Sequence, residues 1–417
     1  MKNKKELELY VHIPFCVKKC AYCDFLSAPA SGRERTAYVD ALTREIRSRK
    51  NDYGDYRVST IFLGGGTPSI LAGDDTARIF RALYESFRIS GNAEITMEVN
   101  PGTVSEEKAA AWKTCGVNRL SIGLQSVNDE ELQMLGRIHT YREFLDTWKL
   151  VRREGFENIN IDLISAIPGQ SLKSWEETLR ITAGLNPEHI SAYSLIVEEG
   201  TPFYERYGEK ESTGASFCKT HPMPPLPDED TEREIYKATE KILAEYGYHR
   251  YEISNYSKNG YECRHNLGYW ERKEYLGLGL GASSLIGGCR FHNTADMEKY
   301  MEICTTCSAA EHRCRSGDAG DRKNIRRDTD VRELCEDIEN LTTEDQMEEF
   351  MFLGLRKMEG ISEKDFYEAF GRNIREVYGL QLQKLEEQKL IECRRKRVRL
   401  TERGIDVSNY VFSEFIF

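Results

Sequence analysis

No stretch of this chain approaches the roughly 20 consecutive apolar residues that a membrane-spanning helix needs. The opening Met-Lys-Asn-Lys-Lys-Glu-Leu-Glu lacks the apolar centre of a secretion signal. A cytoplasmic protein, not integral to a membrane, is therefore expected. Proline is sparse, 11 in 417 residues, and 40% of residues are hydrophobic against 30% charged, which is a globular composition. Positive charge is in deficit: 58 Lys and Arg face 69 Asp and Glu, a net charge of −11. Phosphate binding rests on Lys and Arg, so a broad nucleic-acid surface is not expected. Cysteine is plentiful, with twelve residues. In a reducing compartment that favours metal binding over a disulfide framework. The length exceeds one average domain, so a large domain with a smaller one is expected.

Three of those cysteines, Cys16, Cys20 and Cys23, fall within eight residues in Tyr-Val-His-Ile-Pro-Phe-Cys-Val-Lys-Lys-Cys-Ala-Tyr-Cys-Asp-Phe, residues 10–25. They follow an apolar alternating run that reads as a strand. Soft thiolates suit iron–sulfur chemistry. Electron-transfer clusters ordinarily take four cysteines; three leave one iron open to a substrate. Zinc would want a fourth ligand, for which His12 is the nearby candidate. A disulfide would strand one thiol. The C-x3-C-x2-C spacing followed by an aromatic resembles the cluster loop of the radical S-adenosylmethionine (SAM) superfamily. In that superfamily the open iron of a 4Fe-4S cluster holds the amino and carboxylate groups of SAM, whose sulfonium bond is broken by an electron from the cluster.

The N-terminal half repeats a unit of Val/Ile-rich run, turn and helical pattern. The strands expected are Leu7–Ile13, Ser59–Leu63, Glu94–Val99, Arg119–Leu124, Asn158–Ile164 and His189–Leu195, with helical stretches near 33–50, 73–88, 105–115, 128–135, 141–154 and 171–184. Six successive βα units imply a parallel sheet with right-handed crossovers. They fit an incomplete, TIM-like (β/α)6 barrel better than an open sheet, and barrels keep their chemistry at the C-terminal strand ends. Polar residues recur at those ends. Strand two runs into Gly64-Gly65-Gly66-Thr67-Pro68, where the lack of Cβ atoms would let backbone approach a ligand. Strand three carries Glu98, costly to bury unpaired. Strand four ends in Gln125, with Arg137 beyond it as a carboxylate partner. Strand five carries Asp162. Each alone reads as a structural polar group; together they point to a pocket.

The motifs HIPFC, CxxxCxYCDF, GGGTP, E-x-NP, GLQS, INIDLI-x-x-IPGQ and ISAYSL resemble one branch of the superfamily: the oxygen-independent coproporphyrinogen III dehydrogenases and their relatives, the heme chaperones. The resemblance covers roughly residues 5–300 and recurs at the C-terminus. It implies that Cys16, Cys20 and Cys23 bind the 4Fe-4S cluster and that Tyr10, Gly65 and Glu98 contact SAM. It also implies that Tyr22, Gly66, Thr67, Gln125, Arg137 and Asp162 line the neighbouring pocket. The dehydrogenase loop carries a further cysteine two residues on; here that place is Phe25, as in the heme-chaperone branch. His265-Asn266-Leu-Gly-Tyr269-Trp270 matches the HNxxYW pattern of the same branch. Imidazole can ligate heme iron and aromatic faces can stack on a macrocycle, whereas the plain alternative is a packed aromatic turn with a hydrogen-bonded histidine.

The rest of the chain is less specific. Residues 208–227 read as an insertion loop. Gly277-Leu-Gly-Leu-Gly-Ala-Ser-Ser284 imitates a dinucleotide loop but lacks the required glycine spacing and the later acid. Cys304, Cys307, His312 and Cys314 have ligand-like spacing, read here as incidental reduced thiols. After them, helical patterns at 344–357, 363–369 and 375–388, a hairpin near 390–401 and a final helix resemble a winged-helix module. The segmentation expected is a radical SAM partial barrel over 1–240, a barrel extension with HNxxYW over 241–303, a mobile Cys-containing insertion over 304–330, and a smaller winged-helix-like α+β domain over 331–417.

The leading function is a heme chaperone with a 4Fe-4S cluster, SAM and heme, delivering heme to acceptors such as respiratory hemoproteins. A flavodoxin or ferredoxin reductant is expected, and a homodimer is compatible. The alternatives are oxidative decarboxylation of coproporphyrinogen III, against which Phe25 counts, and a redox-responsive iron–sulfur regulator or electron carrier.

Overall fold

A computed structural model describes residues 5–208, 224–313 and 331–416, with backbone only for Asn51 and residues 307–313. Strands β1 (Lys5–Ile13), β2 (Tyr56–Gly65), β3 (Ile89–Val99), β4 (Arg119–Gln125), β5 (Asn158–Ser165) and β6 (His189–Ser194) lie side by side in chain order, all parallel. They are the six expected from the sequence, the first five extended by one to five residues at an end and β6 ending one residue earlier, at Ser194. Between them run α1 (Gly32–Ser48), α2 (Gly73–Ser86), α3 (Glu106–Thr114), α4 (Asp129–Met134), α5 (Tyr141–Arg153) and α6 (Leu172–Gly184). Local chemistry sets their starts. Ser31 with Glu34 and Thr140 with Glu143 form reciprocal capping boxes on α1 and α5.

The pleat divides each strand into two faces. Leu7, Leu9, Val11 and Ile13 of β1, and Ile61, Leu63, Ile95, Met97, Leu120, Ile122, Ile159 and Ile161 of its neighbours, join the helices in the main apolar core. The opposite face is mostly polar. In register across the sheet it shows Glu8, Tyr10 and His12, then Thr60 and Phe62, Glu94, Thr96 and Glu98, Arg119 and Ser121, Asn160 and Asp162, and His189 and Ser191. This is the barrel interior, filled by side chains rather than empty.

After β6 come α7 (Pro202–Tyr207) and α8 (Glu229–Glu245), and the sheet grows at both edges. Beside β6 lie β8 (Asn255–Ser257) and then β7 (His249–Arg250), both antiparallel to their neighbours. Helix α9 (Arg264–Trp270) follows. Beside β1 lies β9 (Tyr275–Leu278), parallel to it, then the antiparallel β10 (Ser283–Ile286), β11 (Cys289–Asn293) and β12 (Cys335–Asn340). The result is one twelve-stranded sheet whose order does not close on itself. The Gly277–Ser284 run is thus a buried strand and its turn, packed on β1.

Helix α10 (Met297–Arg313) carries Cys304, buried against α1's layer. The side chains of Cys307 and His312, and all of Cys314 and residues 315–330, lie outside the described residues. So do residues 209–223 of the expected insertion loop. The last module has its own core, including Met347, Met351, Phe366, Tyr378, Leu382 and Val398. It is built from α11 (Thr343–Gly354), β13 (Ile361–Ser362), α12 (Glu363–Phe370), α13 (Ile374–Glu387), the β14 (Ile391–Arg394)–β15 (Arg397–Leu400) hairpin, α14 (Glu402–Asp406) and α15 (Ser408–Ser413). This is the winged-helix-like arrangement expected. The module docks on the barrel near α9. The Arg356 guanidinium lies 4.4 Å from the Trp270 ring, Arg272 Nε donates to Glu349 at 2.7 Å, and Met358 N–H donates to Tyr251 O at 2.9 Å.

Candidate functional site

The cysteine loop leaves the C-terminal end of β1 and is held by its main chain. Cys16 N–H donates to Ala28 O (3.2 Å) and Ala28 N–H to Pro14 O (3.1 Å), closing the loop's neck. Ala21 N–H donates to Leu135 O (3.0 Å) after α4, and Ala21 O accepts from Phe203 N–H (3.0 Å) at α7. Ala21 and Tyr22 also pack against a small separate core of Leu135, Ile164, Ile167 and Phe203. Cys16, Cys20 and Cys23 are all thiols, not disulfides. Burial holds Cys16 and Cys23 above the usual thiol range, so both stay protonated until a metal displaces the proton.

The donor set fits an iron–sulfur cluster. His12, the alternative fourth ligand for zinc, is engaged on both ring nitrogens. Nε2 sits 2.8 Å from Leu26 O and Nδ1 3.0 Å from the Tyr10 hydroxyl. Among the described residues no three His, Cys, Asp or Glu side chains converge on one ion. A cubic cluster makes no such demand, because it spreads three thiolates over three irons.

Around the loop, the ends of four strands are tied together. Arg137, following α4, donates from Nη2 to Gly123 O (2.7 Å) and Asn100 Oδ1 (2.9 Å), and its Nη1 lies 3.8 Å from Cys20 Sγ. Asn100 Nδ2 in turn donates to Thr67 Oγ1 (2.8 Å). Asn100 sits in the E-x-NP motif but received no role from the sequence; it is the link between the GGGTP turn and Arg137. Glu98 Oε2 accepts from Gly65 N–H at 3.1 Å. Gln125 sits at a register shift in β4 with φ of 74°, a conformation that costs a non-glycine residue about 1 kcal/mol and that gathers at functional sites.

The glycine turn is explained differently from the sequence expectation. Space that a Cβ would take at Gly65 is occupied by the His12 ring, 2.6 Å away, and at Gly66 by the Phe15 carbonyl oxygen, 2.5 Å away. These glycines let the turn lie against β1 and the cysteine loop, so chain packing already requires them without any ligand.

Burial perturbs the acids at this end of the barrel. Burial, reinforced by Asp162, pushes the Glu98 carboxyl up to about 8. Burial also raises Asp162, opposed by hydrogen bonds from Ser121 Oγ (3.0 Å) and Asn160 Nδ2 (2.7 Å). Tyr10 and Tyr22 are held protonated by burial. The cleft beside Cys20 is lined by Val17, Lys18, Arg137, Ile138 and His139.

The HNxxYW residues lie elsewhere. Helix α9 packs into the interior toward the N-terminal half of the strands. Glu94 of β3 caps it: Oε1 accepts from His265 N–H and Oε2 from Arg264 N–H, both at 3.1 Å. The His265 ring is 1% exposed and stacks on Phe62, with centroids 5.2 Å apart. Its Nδ1 lies 2.7 Å from Thr60 Oγ1 and its Nε2 3.0 Å from the Tyr269 hydroxyl, and burial lowers its pKa to about 3. Both nitrogens are therefore spoken for, and in this conformation His265 has none to offer an iron. Trp270 faces Arg356 of the last module, and Asn266 is half-buried on the same helix. Glu8, which the sequence reading passed over, lies beneath this helix, 1% exposed, with no hydrogen-bond partner on either oxygen. Burial pushes it up to about 9.

The structure therefore gathers Tyr10, Tyr22, Gly65, Gly66, Thr67, Glu98, Gln125, Arg137 and Asp162 with the three cysteines, but not His265, Asn266, Tyr269 and Trp270. A chain of contacts joins the two groups. Asp162 bonds Asn160, whose Oδ1 lies 2.6 Å from His189 Nδ1. His189 Nε2 lies 2.8 Å from the Tyr251 hydroxyl, which accepts from Cys263 N–H at 3.2 Å, and Cys263 Sγ lies 3.6 Å from Glu94.

Comparison with known proteins agrees with this geometry. Residues 10–181 match the radical SAM superfamily and residues 341–407 the HemN C-terminal domain. Along 413 residues the chain is 33% identical to the heme chaperone HemW of Lactococcus lactis, covering 99% of this chain and 98% of that one. The chain belongs to the HemW family. A second HemW, from Bacillus subtilis, is 35% identical over 408 residues, 98% of each chain, and the Escherichia coli HemW is 39% identical over 281 residues, covering 67% of this chain and 70% of that one. The fold matches the solved coproporphyrinogen III oxidase HemN of Escherichia coli, a radical SAM enzyme, with a TM-score of 0.78 at 22% identity over 99% of this chain and 90% of that one. HemW membership thus rests on end-to-end sequence, and the HemN likeness on shape.

Proposed function

We propose that this chain is a heme chaperone: it binds heme and passes it to acceptor hemoproteins. The observation that carries this reading is the match to curated heme chaperones over nearly the whole of both chains. Cys16, Cys20 and Cys23 hold a 4Fe-4S cluster, and Tyr10, Gly65 and Glu98 flank SAM beside it. When bound, that cluster supplies an open iron for the SAM amino and carboxylate groups. Arg137, fixed by Asn100 and Gly123, places its charge next to Cys20 and the thiolate it would neutralise. Tyr22, Gly66, Thr67, Gln125 and Asp162 line the adjoining space.

The coproporphyrinogen reading is disfavoured by Phe25. It stands 59% exposed at the place where the dehydrogenase loop carries its additional cysteine. The acceptor is a respiratory hemoprotein, the reductant a flavodoxin or ferredoxin, and the compartment the cytoplasm. No helix among the described residues is long and apolar enough to cross a membrane. The test is anaerobic reconstitution followed by heme titration and a coproporphyrinogen assay on one sample. A stoichiometric Soret shift with no protoporphyrinogen is expected. No Soret shift would remove the proposal, and turnover would replace it with the dehydrogenase.

A further inference from the structure

We propose that His189 is a positioning residue for the SAM-side pocket: it sets the direction of a buried hydrogen-bond chain that ends on the Asp162 carboxylate. This rests on the reading of Asp162 as a pocket residue and adds what holds that acid in place.

On that reading Asp162 of β5 offers its carboxylate to an N–H or O–H group of bound SAM. Donors beneath a buried carboxylate fix its orientation and favour its charged form. Two are present. Ser121 Oγ donates to Oδ2 at 3.0 Å and Asn160 Nδ2 to Oδ1 at 2.7 Å. Asn160 Nδ2 also donates to Ser121 Oγ at 2.7 Å, so one amide governs both bonds. Each carboxylate oxygen keeps a lone pair for a guest.

The amide is in turn directed by His189 of β6. Asn160 is 1% exposed and His189 fully buried. Asn160 Nδ2 spends its hydrogens on Asp162 and Ser121, which leaves Oδ1 as an acceptor. Oδ1 accepts from Ser191 Oγ at 3.2 Å, and from His189 Nδ1, 2.6 Å away, when that nitrogen carries the proton. The other ring nitrogen is then an acceptor. Its neighbour is the Tyr251 hydroxyl at 2.8 Å, whose oxygen accepts from Cys263 N–H at 3.2 Å and whose hydrogen goes to Nε2. Burial and the Arg119 charge keep the ring neutral. The order is thus fixed from end to end: Cys263 N–H to Tyr251, Tyr251 O–H to His189, His189 Nδ1–H to Asn160, and Asn160 N–H to Asp162. Every donor points toward the acid, and bonds in such a chain polarise one another.

The far end is anchored as well. Tyr251 O accepts from Met358 N–H at 2.9 Å, and Glu252 pairs with Lys357 in an antiparallel bridge. The chain therefore starts at the seam between the barrel and the last module, and a ring buried on β6 carries it to the pocket.

The test is an equilibrium SAM titration of the full chain with its cluster reconstituted, iron content and circular dichroism verifying each variant. Asp162→Asn is expected to weaken SAM binding about tenfold. His189→Leu, which loses both ring nitrogens, is expected to weaken it about fivefold. His189→Asn, whose amide N–H replaces Nδ1–H, should return affinity to within about twofold of wild type; a packing role would be served no better by Asn than by Leu. In Asp162→Asn/His189→Leu the two losses should not multiply, because the histidine acts through the acid. Tyr251→Phe removes one oxygen from the same chain and stands in if His189→Leu does not fold; it should weaken SAM binding about threefold. Wild-type affinity in His189→Leu or its stand-in, or losses that multiply in full, would overturn the positioning role. Wild-type affinity in Asp162→Asn would instead bring down the pocket assignment of that acid, so the two failures are distinguishable.

Discussion

The two ends of the barrel interior are built from similar residues to opposite effect. At the cysteine-loop end, Tyr10, Tyr22, Glu98, Arg137 and Asp162 are half-buried. At the HNLGYW end, Glu8, Thr60, Glu94 and His265 are buried, and a helix from far along the chain is stapled over them. One end carries the cysteine loop and partly exposed polar side chains, and the other is stoppered by α9. A distinctive sequence motif therefore also has a structural task here, closing one end of the barrel.

The largest expected effect tests the open end. Cys20→Ala should take iron, measured after anaerobic reconstitution, from about four atoms per chain to near zero, as a three-cysteine cluster requires. Circular dichroism should be unchanged, because the loop is anchored by main-chain bonds. Unaltered iron would break the comparison at once.

The next effect belongs to the closed end and is read through pH. Glu8 is raised to about 9 in the folded chain, against an ordinary value of 4.5. The folded state thus holds a proton that the unfolded state releases between those values, and stability falls as pH rises from about 5 to 9. Glu8→Gln should remove this dependence. Urea melts should show the difference between variant and wild type growing by about 1.4 kcal/mol per pH unit, reaching roughly 3 kcal/mol near neutrality. A constant difference across that range would mean Glu8 is not buried as described.

Glu94→Gln should cost about 2 kcal/mol in the same melts, since it weakens two charge-assisted bonds to α9. Iron uptake should survive. His265→Gln should lower stability by about 1 kcal/mol yet leave heme affinity within twofold of wild type. Loss of heme binding in a folded His265→Gln protein would make the closed end a ligand site and erase the contrast. The smallest effect returns to the open end. Gln125→Gly relieves the positive φ and should raise stability by less than about 1 kcal/mol, while weakening SAM binding in an equilibrium titration if the Gln125 amide lines the pocket.

Much of this was legible in the sequence. The six parallel strands announced themselves as Val/Ile-rich runs with polar residues at their C-terminal ends, and the cysteine spacing located the open end. The interior was harder. Lys-Glu-Leu-Glu-Leu-Tyr in β1 reads as a strand with one wet face, yet in a barrel both faces are covered, so Glu8 is buried. Strands β7 to β12 are two to six residues long and mostly antiparallel, too short for periodicity to reveal. The capping of α9 by Glu94 spans about 170 residues of chain, and nothing local marks it. The glycines of GGGTP were read as leaving space, whereas their neighbours already fill it.

The cysteine loop is pinned at its neck, to the end of α4 and to α7, by backbone bonds that need no metal. In a zinc finger, folding and metal uptake are one event; these backbone anchors are expected to separate the two, so that a chain stripped of its cluster keeps its circular dichroism and takes up iron again on reconstitution.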